Sequence, residues 1–62
     1  MFTEAEIKTI ETYRDSNTKL AFNHLRKIYT SYTGEEIKGC GCKKAERYSF
    51  LTMFYEWYEE NS

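Results

Sequence analysis

Hydrophobic residues recur at helical spacing in three segments of the chain, which are separated by turn-forming residues. In the first segment, Ile7 and Ile10 begin a thin apolar stripe behind Thr3 and Glu6. This threonine and glutamate fit the capping box, in which each side chain binds the other residue's backbone amide at the start of a helix. The pattern predicts a helix from Thr3 to about Arg14, and the polar residues that follow predict a turn.

The second and third segments predict longer helices. The second should run from about Thr18 to Thr33, and Gly34 provides the left-handed residue that commonly ends a helix. The third should run from about Lys43 to Glu60. Between them, residues 35–42 contain two glycines two positions apart, which predicts a loop.

These elements predict one all-α domain over residues 1–62, a small three-helix domain with a Gly/Cys loop between helices 2 and 3. The core should be built from the apolar stripe of each helix. The predicted core residues are Ile7, Ile10, Ala21, Leu25, Ile28, Tyr32, Leu51, Phe54, Tyr55 and Tyr58.

Aromatic residues are concentrated in the third helix. Six of the eleven aromatic side chains lie within residues 48–58, and they extend over more than half of the helix circumference. One interpretation is a central helix of a bundle, with tyrosine hydroxyls that reach water. The other is that part of this arc faces another protein chain, because aromatic residues and methionine are enriched at interfaces. The expected interface residues are Phe50, Met53, Phe54, Trp57 and Tyr58.

Charge is distributed unevenly in the same region. Residues 38–47 carry a net charge of +3 and residues 48–62 carry −3, whereas the whole chain carries −1 at pH 7. Two such segments would attract each other in an antiparallel arrangement of two copies. The alternative is that the charges are solvated and tolerated at small cost.

The Gly-Cys-Gly-Cys-Lys-Lys sequence at residues 39–44 carries the most reactive side chains. It is compatible with a metal site, thiol redox chemistry, anion capture by glycine-rich amides, or a tight turn with no further role. Structural zinc sites need four ligands. Cys40, Cys42 and His24 supply three at most, so no cofactor is predicted, and zinc shared between two copies remains an alternative.

Four basic residues form a second candidate site. Lys38, Lys43, Lys44 and Arg47 would make an anion or nucleic-acid patch around the start of the third helix. The loop before it is too long for a helix-turn-helix unit, and the chain as a whole is not basic. Nucleic-acid binding is therefore an alternative, and it would weaken steeply with salt.

Length and composition exclude several classes of protein. With 62 residues, 40% hydrophobic and 18% aromatic, the chain is neither disordered nor large enough for an enzyme with a deep pocket. No apolar run approaches the roughly 20 residues of a membrane span. Two cysteines this close together do not form a secreted disulfide framework, so a reducing, intracellular (cytoplasmic) location is expected.

These observations favour a small non-enzymatic protein-interaction module. It would act through the aromatic C-terminal helix, either as a homo-oligomer or on a protein partner, as an accessory, virion-type or inhibitory protein of phage-like character. The two alternatives are a nucleic-acid-binding regulator that uses the basic 38–47 patch, and a metal-binding dimer formed through its cysteines.

Overall fold

A computed structural model describes residues 2–62, which form three helices: α1 (Glu4–Thr12), α2 (Lys19–Thr33) and α3 (Lys44–Asn61). There is no strand in the described range, which confirms the all-α prediction. The middle helix, α2, packs against both α1 and α3. The Gly/Cys loop lies between α2 and α3, as predicted.

The predicted helix boundaries follow from local hydrogen bonds. The backbone amide of Glu6 donates to the Thr3 hydroxyl over 3.1 Å, and the Thr3 amide donates to the Glu6 carboxylate over 2.9 Å, which completes the capping box. The Thr18 hydroxyl caps α2, and Gly34 ends it at φ 76°. The first helix stops at Thr12 rather than near residue 14, because the chain tightens into a turn there.

The core is an aromatic contact between α2 and α3. Phe22 meets Phe50 edge-on with ring centres 5.1 Å apart, and Tyr29 meets Trp57 at 5.0 Å. Edge-to-face contact is the arrangement that aromatic rings prefer. Phe54 lies at the centre and is fully buried. The buried residues are Ile10, Ala21, Phe22, Leu25, Tyr29, Phe50, Leu51, Phe54 and Tyr58.

Four of the ten predicted core residues, which come from all three helices, are not fully buried. Tyr32 and Ile7 are 41% and 40% exposed, and Ile28 and Tyr55 are only partly buried. The buried face of α2 is instead rotated toward Phe22 and Tyr29, because these larger rings fill the space against α3. Tyr32 packs on the ring of Phe2 at 4.9 Å and donates its hydroxyl to Glu6.

The Gly/Cys loop packs directly on the core at Gly41, where any side chain would overlap the ring of Phe22. Gly41 is buried and left-handed at φ 68°, and a Cβ atom there would lie 2.8 Å from Cγ of Phe22. Arg47 fixes the loop from α3, since its guanidinium donates to the Gly41 carbonyl over 2.9 Å and to the Cys42 carbonyl over 3.2 Å. The same guanidinium donates to Asn17 over 2.9 Å, which ties the loop to the turn after α1.

Alanine substitution at two of the three glycines with positive φ, Gly34 and Gly41, should separate backbone strain from packing. Gly34→Ala should destabilise the fold by about 1 kcal/mol, because its φ is unfavourable but its surroundings are open. Gly41→Ala should cost about 1–3 kcal/mol more, because the added methyl group would overlap Phe22. Urea unfolding of both variants measures the difference. Equal losses of stability would contradict the close approach of the loop to Phe22.

Candidate functional site

Three of the five residues expected at an interface are buried within the chain itself. Phe50, Phe54 and Tyr58 are 7%, 0% and 6% exposed, so the expectation that these side chains face a partner is corrected. Phe54 and Tyr58, which were also expected in the core, belong to it. Met53 is 36% exposed and Trp57 is partly buried. The rings of α2 cover the part of α3 that was expected to be free.

The exposed aromatic surface of α3 lies on a different face. Tyr48 is 67% exposed, the most exposed large hydrophobic side chain in the described chain. It borders an open groove of about 740 Å³, with residues 14–17 on one side and α3 between Tyr48 and Glu60 on the other. Leu51 and Tyr55 also line it. We refer to this feature as the α3 groove.

The rim of the α3 groove is acidic. Asp15, Glu56, Glu59 and Glu60 line it, and Arg14 is the basic residue among its lining side chains. Asp15 and the three glutamates are exposed. The α3 groove therefore combines aromatic and aliphatic surface with an excess of negative charge.

Arg14 is held in place by two carboxylates and two rings. Its guanidinium makes two hydrogen bonds to Glu11, over 2.8 and 2.9 Å, and one to Glu59 over 3.1 Å. Its central carbon lies 5.0 Å from the centre of the Tyr55 ring and 5.9 Å from the centre of the Tyr58 ring. The hydrogen bonds to Glu11 raise the pKa of Arg14 and lower the pKa of Glu11. Arg14 therefore joins the end of α1 to the end of α3, and its positive charge is neutralised by Glu11 and Glu59.

Tyr55 forms the second link between α1 and α3. Its hydroxyl donates to the Ile10 carbonyl over 2.7 Å. That carbonyl lies in the last turn of α1, where carbonyl oxygens lack a regular helical donor. Burial raises the pKa of Tyr55 to about 12. Tyr55 thus has a structural role at one edge while its ring lines the α3 groove.

The basic patch is only partly assembled. Lys38, Lys43 and Lys44 are exposed, but Arg47 is half-buried and its guanidinium binds loop carbonyls and Asn17. Arg47 therefore holds the loop. Nucleic-acid binding through the basic 38–47 patch stays an alternative prediction.

The structure does not assemble the predicted metal ligands. Cys40 and Cys42 are joined to each other by a disulfide, so neither carries a free thiol. His24 is exposed and stacks on the ring of Tyr13 at 5.5 Å. Within residues 2–62, no three histidine, cysteine or acidic side chains are grouped so that they would bind a metal ion.

No protein-family model, curated protein or solved structure matches the chain. Function is therefore inferred from the geometry of the chain alone. Over the described residues, every helix is too short or too polar to cross a lipid bilayer.

The α3 groove was only partly visible in the sequence. Tyr48, Leu51 and Tyr55 share one side of the third helix by their spacing, and the predicted core includes Leu51 and Tyr55 from that side. How much of that side is exposed depends on how far the shorter helix α1 extends along α3. The contribution of residues 14–17 had no local signal, because these residues reach α3 only through the tertiary fold.

A tyrosine titration tests the burial of Tyr55. With its folded pKa raised from 10.0 to about 12, the neutral hydroxyl stabilises the fold below pH 10, and this contribution is lost as pH rises from 10 toward 12. Tyr55→Phe should remove the absorbance transition near pH 12 and cost about 1 kcal/mol through the lost hydrogen bond to Ile10. Tyr48→Phe, the matched control, should retain that transition. If the transition near pH 12 persists in Tyr55→Phe, the raised pKa does not belong to Tyr55.

Proposed function

We propose that this chain is a small protein-interaction module, which acts by binding rather than by catalysis and docks a protein segment in the α3 groove. The observation that carries the proposal is the exposed ring of Tyr48 beside the open, partly apolar groove. Exposed aromatic surface next to a concave site is typical of protein contacts.

The length of the α3 groove favours a protein segment as its occupant. Its lining residues on α3 extend from Tyr48 to Glu60, about 18 Å along the helix axis at the usual rise per residue. The groove is open along this length and has its second wall in the turn at residues 14–17. Such a surface fits the side of a helix or an extended peptide, as in helix-in-groove recognition.

The charge at the rim supports a basic or mixed-charge partner. Because Arg14 already pairs with Glu11 and Glu59, the carboxylates of Asp15, Glu56 and Glu60 dominate the field at the groove. A partner that brings lysine or arginine to this rim would gain electrostatic attraction and a faster association rate. The apolar part of the groove would supply the buried contact area.

Photo-crosslinking in cells that produce the protein tests this proposal. A photoreactive phenylalanine at position 48 should form an adduct with a defined protein, because position 48 borders the α3 groove. The same residue at position 27, an exposed site that does not line this groove, should not form that adduct.

A blocking variant makes the test specific to the groove. Thr52→Arg places a large side chain among the lining residues and should abolish the adduct from position 48, whereas Ser31→Arg on α2 should leave it intact. Circular dichroism checks that both variants fold. An absent adduct, or one that survives Thr52→Arg, would contradict docking in the α3 groove.

A further inference from the structure

The third helix is complementary to itself when two copies run antiparallel. Its first turn exposes Lys43 and Lys44, and its last turns expose Glu56, Glu59 and Glu60. A parallel pair would bring like charges together at both ends. An antiparallel pair places the basic end of each helix beside the acidic end of the other.

The charged and aromatic residues share one face of α3. At about 100° per residue, Lys44, Tyr48, Thr52, Tyr55 and Glu59 fall on one side of the helix. The last four line the α3 groove. This face therefore runs from a lysine, across two tyrosines, to a glutamate.

The midpoint of this face defines a register for two copies. With a two-fold axis between Leu51 and Thr52, Lys44 of one helix comes beside Glu59 of the other, and Tyr48 comes beside Tyr55, since the members of each pair lie equally far from that midpoint. A two-fold axis repeats each such contact, so every pair of charges counts twice. Each Tyr48 ring would lie on the partner helix near Tyr55, and its exposed apolar surface would be buried in the contact.

The start of α3 provides an independent observation. Lys43 occupies the N-cap position but makes no side-chain capping hydrogen bond. The amides of a first helical turn favour negative charge, and here one acidic residue, Glu46, is outnumbered by Lys43 and Lys44. In the antiparallel pair, the partner's carboxylates would lie near these uncapped amides and lysines.

We infer that the occupant of the α3 groove is a second copy of this chain, whose α3 lies antiparallel in the groove. The inference rests on the proposed function, since it names the partner of the same surface. Each copy contributes one helix of 18 residues, about 27 Å long, to the contact. A contact of one helix from each copy buries an area at the small end of the range for specific interfaces. The dimer is therefore expected to dissociate in the micromolar range.

Charge reversal at exposed positions tests the inference without disturbing the core. Lys44→Glu and Glu59→Lys should each weaken dimerisation roughly tenfold, because each variant places like charges together twice. The double variant Lys44→Glu/Glu59→Lys should restore the attraction across the dimer and bring the dissociation constant back toward that of the wild type. Lys27→Glu, on the exposed surface of α2, is the matched control and should leave it unchanged.

Thermal unfolding at monomer concentrations separates these effects from misfolding. Lys44→Glu improves the match between the start of α3 and its dipole, so its monomer should unfold at an equal or higher temperature while the dimer weakens. Glu59 also pairs with Arg14, so Lys44→Glu is the variant that carries this comparison. Sedimentation equilibrium measures the dimer as twice the 7.5 kDa mass of the chain, at low and high salt. High salt should also weaken the wild-type dimer.

Three outcomes would overturn the inference. These are a monomer at every concentration, a double variant as weak as the single variants, and a wild-type dimer that Thr52→Arg does not weaken. A position-48 crosslink to a different protein, together with a monomeric chain, would overturn the second-copy inference but leave the proposed function standing. No crosslink to any protein and no dimer would refute both.

Discussion

The fold depends on the contact between the aromatic rings of α2 and α3. Phe22 and Tyr29 pack against Phe50, and Phe54 lies beneath them with no exposed surface. A chain of this size has only one core, and its stability is a few kcal/mol at most. Packing these rings therefore takes precedence over the other preferences of the sequence. It turns α2 so that Tyr32 is left partly exposed, and it takes Phe50 out of reach of any partner.

The same packing explains why the α3 groove exists. The third helix carries rings around most of its circumference, whereas α1 has only 9 residues against the 18 of α3. Asn17, in the turn after α1, contacts Arg47 near the start of α3, but on a different side of the helix from Tyr48. Contacts from Ile10 and Arg14 reach Tyr55 and Glu59 near the C-terminal end of α3. Toward its N-terminal end the same face stays open, and Tyr48 lies at its border. The unfilled surface is thus a consequence of unequal helix lengths.

The Gly/Cys loop has a structural role that its chemistry does not suggest. Gly41 allows the backbone to approach Phe22, and Arg47 binds the carbonyls on either side of the turn. Arg47 therefore holds the loop, and the exposed basic surface consists of Lys38, Lys43 and Lys44. Positive charge at the start of α3 opposes the helix dipole, and negative charge at its end does the same. In an antiparallel pair, the positive charge at the start of each α3 would lie beside the negative charge at the end of the other, so both would take part in attractive contacts.

Local sequence determined the helices, their caps and the position of the loop. The capping box at Thr3 and the glycine at position 34 act on neighbouring amides and carbonyls, so they can be identified without knowing the fold. Apolar spacing also located Ile10, Leu25 and Phe54 in the core. Only the tertiary structure decided which side of α3 is covered and that Arg47 faces inward. Those outcomes depend on competition between rings for one small core and on contacts between residues about 30 positions apart, such as Asn17 and Arg47, which no local pattern encodes.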